Sequence, residues 1–384
     1  MSLTSSAIAM PSPAPQGSRR PALFVGSDIY RLPAFGRHHP LSGPRIAAVM
    51  ELCERLGWLN SASLCVSAPA GDSTLAMFHH ADYIAALRQA DASGRVSREV
   101  RERYHFGTMA NPLFPGLFER AATTVGGSIK AAELALSGAV AFHPSGGTHH
   151  GRPDRASGFC YFNDPVFALL TFLQHGLRRV MYVDLDAHHG DGVQDAFAAD
   201  TRVFTVSVHE AGRWPYSGAV DDRAQGRARN LPVPRGFNDN ELDYVMQRAV
   251  LPLARNFTPE ALVITCGADG LSGDPLSGME LSNGALWRAV TDLMAHSPRV
   301  VILGGGGYNP WTVARCWTGL WGLLRGERLP VNLPPAAQQL LRGLECELVD
   351  EGDIDPAWFS TLADDSNQAE LRPQLVELVD RVLQ

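Results

Sequence analysis

Five side chains able to bind a metal or carry a proton crowd into residues 184–191: Asp184, Asp186, His188, His189 and Asp191. The apolar run before them, VMYV at 180–183, is β-branched and aromatic and too short for a helix. It is therefore predicted as a buried strand whose end delivers the charges. Side chains alternate along a strand, so Asp184, Asp186 and His188 share one side if the extended backbone continues that far. Asp186 and His188 can then grip one cation. A solvated acidic turn is the competing reading, but it leaves carboxylates at a buried strand end without a counter-charge, which is costly.

Three further clusters carry chemistry. GGTHHG at 146–151, followed by GFCYFND at 158–164, places His149 and His150 among glycines, where backbone and imidazole both approach a ligand closely. Asp184 and Asp191 supply the carboxylates for two His–Asp dyads, which fix a tautomer and raise basicity for proton transfer near neutral pH. TCGADG at 265–270 sets Asp269 just beyond another strand-like run. Alone it reads as a turn or helix-capping residue, yet its position matches the first cluster and completes an Asp, His, Asp set. VILGGGGYN at 301–309 lacks the Lys-Ser/Thr of a phosphate loop, and Asn309 stands where a dinucleotide fingerprint needs its last glycine. It is read as a thin loop that brings Tyr308 over a substrate, its phenol donating to an oxyanion.

These groups need elements to position them. Apolar runs at 22–25, 180–183, 203–208, 261–265 and 300–303 alternate with helical spacing at 46–56, 125–136, 165–174, 242–254, 286–294 and 312–324. The order predicts an α/β fold: a single domain with a central, mainly parallel sheet and helices on both faces. Residues 216–240, rich in Gly, Arg, Asp and Pro, read as a long loop, either functional or a surface excursion. Residues 1–20, rich in Ser, Pro and Ala, read as a disordered tail, 21–328 as the catalytic domain, and 329–384 as a C-terminal extension packed on it.

Composition narrows the partners. A chain of 384 residues, 45% hydrophobic and with net charge −7, has no basic footprint, so nucleic acid is not an expected ligand. Lys130 is the sole lysine. Six scattered cysteines without a CxxC pair fit a reducing cytoplasm. Arg19-Arg20 resembles the start of a twin-arginine signal, but the apolar run behind it is too short, and no membrane span is expected.

With the four clusters in this order, the chain resembles the zinc-dependent histone deacetylase family, which includes acetylpolyamine amidohydrolases and acetoin-utilisation proteins. The resemblance runs over about 22–321, on His39-Pro40 with Arg45, GGTHHGRPDRASGFCYFND, YVDLDAHHGDGVQDAF, CGADGLSGDPL and GGGGYNPWTVARCW. It implies the arginase/deacetylase-like fold, with Asp186, His188 and Asp269 as ligands of one Zn2+, for which Fe2+ or Co2+ are possible substitutes. It pairs His149 with Asp184 and His150 with Asp191, makes His150 the general base and Tyr308 the carbonyl-polarising phenol, and leaves His189 without a catalytic role. Gly158, Phe159, Trp214 and Leu276 would shape a narrow substrate tunnel. A structural K+ is implied near the carbonyls of Asp184, Asp186, His188, Ser207 and Val208, and Arg45 near an internal channel behind the metal.

The activity implied is hydrolysis of acyl-lysine amides on proteins. The alternative is a small acylated amine such as an acetylpolyamine, against which Leu276 argues mildly because polyamine-selective relatives can carry an acid near the tunnel mouth. Two departures stand out: Ala110 in the rim loop where peptide-gripping members often have an aspartate, and Thr148 where many have an aromatic residue. A catalytically silent binding protein disagrees with the complete set of groups. A binuclear ureohydrolase disagrees with Asp191, one residue late for Asp-x-His-x-Asp, and with Gly270-Leu271 after Asp269. The expected partners are acylated lysines or small acylated amines, without nucleic acid or membrane, and a homo-oligomer is left open.

Overall fold

The computed structural model describes residues 20–36 and 38–384. The expected tail therefore lies outside the described residues except for Arg20, whose guanidinium donates to the carbonyls of Pro298 (2.7 Å) and Ser297 (3.1 Å). Among the described residues, eight strands form one sheet: β1 Ala22–Gly26, β2 Leu64–Val66, β3 Val140–His143, β4 Val180–Asp184, β5 Val203–Glu210, β6 Ala228–Val233, β7 Ala261–Thr265 and β8 Val300–Leu303. Their order is β2-β1-β3-β8-β7-β4-β5-β6. Every pairing is parallel, so "mainly parallel" becomes wholly parallel here.

Strand alternation divides the core. Val180 and Tyr182 of β4, with Val301 and Leu303 of β8, pack under the helices Leu117–Leu136, Asp164–Gln174 and Asp191–Phe197. Met181, Val183, Val300 and Ile302 face the opposite layer, which includes the helices Arg45–Arg55, Asn283–Met294 and Pro310–Arg325. A sheet buried on both faces is written as continuous apolar strands, which is why these runs were legible. Residues 329–384 join the second layer: Leu341, Leu375 and Val382 are buried in it, and the Trp311 indole donates to the Leu341 carbonyl at 2.8 Å.

One reading needs correction. Residues 216–240 are not one loop, because β6 lies inside them as the outer partner of β5, with Leu231 and Val233 fully buried. Its Arg, Asn and Pro content disguises it; an edge strand tolerates Pro232, which cannot donate to a second neighbour. The helix expected over 242–254 is present within a continuous helical run at 239–257, which carries a π-helical turn at Met246–Val250 just before Pro252, a residue that lacks an N–H. Two other strands were not anticipated: β2, which spans only three residues, and β3, whose four residues close on His143.

Register positions the chemistry. His143 of β3 pairs with Leu303 of β8, Leu303 with Thr265 of β7, and Thr265 with Asp184 of β4. Four central strands thus end level, and the loops leaving them converge at the carboxyl edge, where ligands of open α/β sheets bind.

Candidate active site

The loop after β4 carries Asp186 and His188, and the loop after β7 carries Asp269. His188 Nδ1 lies 2.8 Å from Asp269 Oδ2 and 3.2 Å from Asp186 Oδ1. One ligand atom from each of the three residues falls within 4.8 Å of the others, and all three are buried. Backbone amides aim the carboxylates: Gly306 N–H donates to Asp186 Oδ2 at 2.6 Å, and Ala187 N–H to Asp269 Oδ1 at 3.0 Å. Burial opposes charge on His188, but its hydrogen bonds to Asp186 and Asp269 outweigh it and raise the imidazole to about 10. Burial and the charge of Asp186 push Asp269 up to about 6. Two crowded carboxylates calling for positive charge, with one imidazole nitrogen between them, fit a single divalent cation with N and O ligands.

Beside this cluster stand the paired histidines. His149 Nδ1 lies 2.7 Å from Asp184 Oδ2, and His150 Nδ1 2.7 Å from Asp191 Oδ1. Their positions depend on Asp164, which accepts from Thr148 N–H (2.7 Å), Gly147 N–H (3.1 Å) and the Ser128 hydroxyl (2.5 Å). Asn163 caps the helix Asp164–Gln174 and donates to the carbonyls of His149 (3.0 Å) and Gly151 (2.9 Å). The Gly-aromatic turn therefore braces the histidine loop. Gly147, at φ 94°, lets that loop meet the Gly304–Gly307 loop, since a Cβ there would come within 2.7 Å of Gly305 N.

The two imidazoles differ in charge. Burial works against a proton on His149, but Asp184 and then Asp186 prevail and raise it to about 9. Burial followed by the charge of His149 lowers His150 to about 3, and Asp191 only partly opposes this. Arg152 shares Asp191, binding the oxygen that His150 leaves free.

Tyr308 follows the glycines after β8. Its ring meets His188 edge-on at 6.3 Å and Phe159 at 5.9 Å between centroids. Burial, with the charges of Asp269 and Asp186, pushes its phenol well above 10, so it remains a donor. Asn309 caps the next helix by accepting from Trp311 and Thr312 N–H at 3.1 and 3.3 Å, which ends the loop sharply after the tyrosine.

Of the expected tunnel residues, Gly158 and Phe159 line a cavity of about 430 Å3 that reaches Asp186, Tyr308, Arg45, Thr148 and Leu41. Phe159 holds φ 66° and donates its N–H to Asn111 Oδ1 at 2.9 Å. Trp214 packs on His150 at 4.6 Å between centroids, and a Cβ on Gly158 would strike it at 2.3 Å. Leu276 stands outside that lining, half-buried, its carbonyl accepting from Arg213 Nη1 at 2.8 Å. His189 uses both ring nitrogens on Ser217 (2.8 Å) and Gln194 (3.1 Å), a structural setting. Sequence reasoning passed over Asp164, Asp274 and Arg152, although all three lie inside the quoted motifs.

A level row of parallel strand ends thus presents three candidate metal ligands, two carboxylate-bound imidazoles and a buried phenol, groups able together to activate water and to donate to an oxyanion. The histone deacetylase domain model matches residues 39–324, and the chain belongs to the histone deacetylase family. It is 34% identical to histone deacetylase 1 of Oryza sativa subsp. japonica over 324 residues, 83% of this chain but 62% of that protein, so it spans under two thirds of that relative. Acetoin utilization protein AcuC of Bacillus subtilis (strain 168) is 31% identical, with 82% of this chain and 85% of that protein aligned. The crystal structure of a histone deacetylase homologue from Aquifex aeolicus superposes with TM-score 0.90 at 32% identity, covering 94% of this chain and 100% of that one. A structure of a homologue complexed with SAHA matches equally well, at TM-score 0.90.

Proposed function

We propose that the protein is a zinc-dependent lysine deacylase, removing acyl groups from the side-chain amine of acyl-lysine. The observation that carries this reading is the pair of His–Asp dyads, each joined at 2.7 Å, set against the Asp186, His188 and Asp269 cluster. Asp186, His188 and Asp269 would hold the zinc ion, which when bound would supply Lewis acidity toward the amide oxygen and a water. His150, neutral through burial and its cationic neighbour, accepts the proton of the attacking water on Nε2 and returns it to the leaving amine. His149 keeps positive charge close to the developing negative charge. The Tyr308 hydroxyl donates to the carbonyl oxygen as it becomes an oxyanion, a donor of a kind whose loss typically costs about 2.7–4 kcal/mol. Phe159 and Trp214, flanking the site, suit the methylene stem of a lysine.

The potassium site is proposed on β4 and β5, where Asp184 and Ser207 are register partners, and it would brace the strand end that carries the metal ligands. Six free cysteines support the proposal of a cytoplasmic site of action; no helix among the described residues is long and apolar enough to cross a membrane.

A small acylated amine is the second reading. Ala110 favours it, since the rim loop offers no carboxylate there and Met109 beside it is 95% exposed. Turnover of acyl-lysine peptides and acetylated polyamines by the zinc-loaded protein separates the two. Peptide hydrolysis with little polyamine hydrolysis is expected; robust turnover of polyamines alone would transfer the assignment to the small amine.

A further inference from the structure

The residue that carries the phenol leaves the sheet on four consecutive glycines, 304–307, which have no side chains to pack. Gly305 and Gly307 sit at φ 141° and 132°, backbone that other residues rarely adopt. Tyr308 therefore needs an external anchor. Its backbone N–H donates to Asp274 Oδ2 at 2.6 Å, and the other oxygen of that carboxylate accepts from Leu276 N–H at 2.9 Å. Asn309 Nδ2 adds a parallel tie to the Gly273 carbonyl at 2.9 Å.

Asp274 is itself buried, and the hydrogen-bond donors that meet it are these two backbone amides. Burying a carboxyl group is expensive unless its oxygens are hydrogen-bonded, and here each oxygen accepts from one backbone amide. The segment it joins is fixed in turn: Arg213 Nη1 holds the Leu276 carbonyl at 2.8 Å, and Glu210 accepts from Gly278 N–H at 2.8 Å. One carboxylate thus ties the end of the glycine loop, at the root of the tyrosine, to a braced segment.

We propose that Asp274 is the positioning residue of Tyr308: it holds the backbone from which the phenol reaches the substrate carbonyl, and it touches no reacting atom itself. The inference rests on the reading that Tyr308 donates to the oxyanion. A displacement of ~1 Å at such a donor is enough to cost about 10²-fold in rate.

A double-mutant cycle tests it. Tyr308→Phe, Asp274→Asn and the double variant are compared as zinc-loaded proteins for kcat and KM on an acyl-lysine peptide, and for equilibrium affinity toward an alkyl hydroxamate. Asp274→Asn is expected to lower kcat about tenfold with KM little changed, because Asn can satisfy one of the two amides and opposes the other with its own N–H groups. In the Tyr308→Phe background the same substitution should add little by either measure. Full multiplication of the two losses, or unchanged kcat and hydroxamate affinity in Asp274→Asn at normal zinc content, would overturn the proposal. Asp274→Ala, read the same way, covers the case in which the Asn amide unfolds the segment. The hydroxamate arm separates the two failures: coupling in binding without turnover of any acyl amide sinks the deacylase reading and leaves the positioning role standing.

Discussion

His149 and His150 are adjacent in the chain, their rings 4.0 Å apart, and each binds an aspartate through Nδ1 at 2.7 Å. They nevertheless hold protons in opposite ways. His149 faces Asp184 and has Asp186 3.9 Å from its Nε2, so two negative charges outweigh burial. His150 faces an aspartate already shared with Arg152 and lies beside the cation on His149, so burial wins. Residue type and partner are the same in both dyads; the second neighbour decides the charge. One histidine is thereby left free to accept a proton and the other to remain positive.

The comparison breaks most visibly on removal of either ring. His150→Ala is expected to lower turnover by roughly 10²–10⁴-fold, the usual worth of a general acid–base group, with zinc content unchanged. His149→Ala should cost less, about tenfold, because it removes charge rather than the proton acceptor. Steady-state kinetics on the two variants with metal analysis checks this, and the reverse order of losses would exchange the two roles.

A second effect comes from the ligand imidazole. The folded value of His188, about 10, lies above the ordinary 6.5, so in the metal-free protein its proton stabilises the fold fully below pH 6.5 and that contribution disappears as pH rises through about 10. Zinc bound there would displace that proton. Affinity for zinc should therefore rise by up to about tenfold per pH unit between about pH 7 and about pH 9. Competition titrations with a chelator of known affinity measure it, and affinity independent of pH would mean that the imidazole is already neutral.

The smallest effect sharpens the role of the second neighbour. Arg152→Met releases the outer oxygen of Asp191, whose full charge then falls on His150. The His150 imidazole lies below its ordinary value and should move upward, carrying the acid limb of kcat/KM toward higher pH by less than about one unit. An acid limb that stays in place, or moves downward, would remove Arg152 from the tuning of the base.

Legibility varied with how local the signal was. Asp186 and His188 stand two residues apart at the end of an apolar strand, and Asp269 follows another such strand, so spacing alone suggested a shared cation. The central strands were legible because burial on both faces writes unbroken apolar runs. β6 was hidden by its edge position and β2 by its three-residue length, while β3 was missed although it is as long as β8. Asp164 and Asp274 gave no signal beyond an Asp beside Gly, Asn or Pro, which is ordinary turn composition. Their work is to accept backbone amides from residues far along the chain, and no periodicity reports that.

Taken by itself, the sequence determined the ligand types, the strand ends that present them, the glycines that let loops approach closely and the phenol available as a donor. These follow from composition over a few adjacent residues. Tertiary structure alone decided that Asp184 lies within 2.7 Å of a histidine 35 positions away, that Arg152 shares Asp191, and that Asp274 holds Tyr308. The opposite charges of His149 and His150 belong to the same class of fact. Protonation depends on burial and on the distance to every neighbouring charge, and both are properties of the folded arrangement rather than of neighbours in the chain.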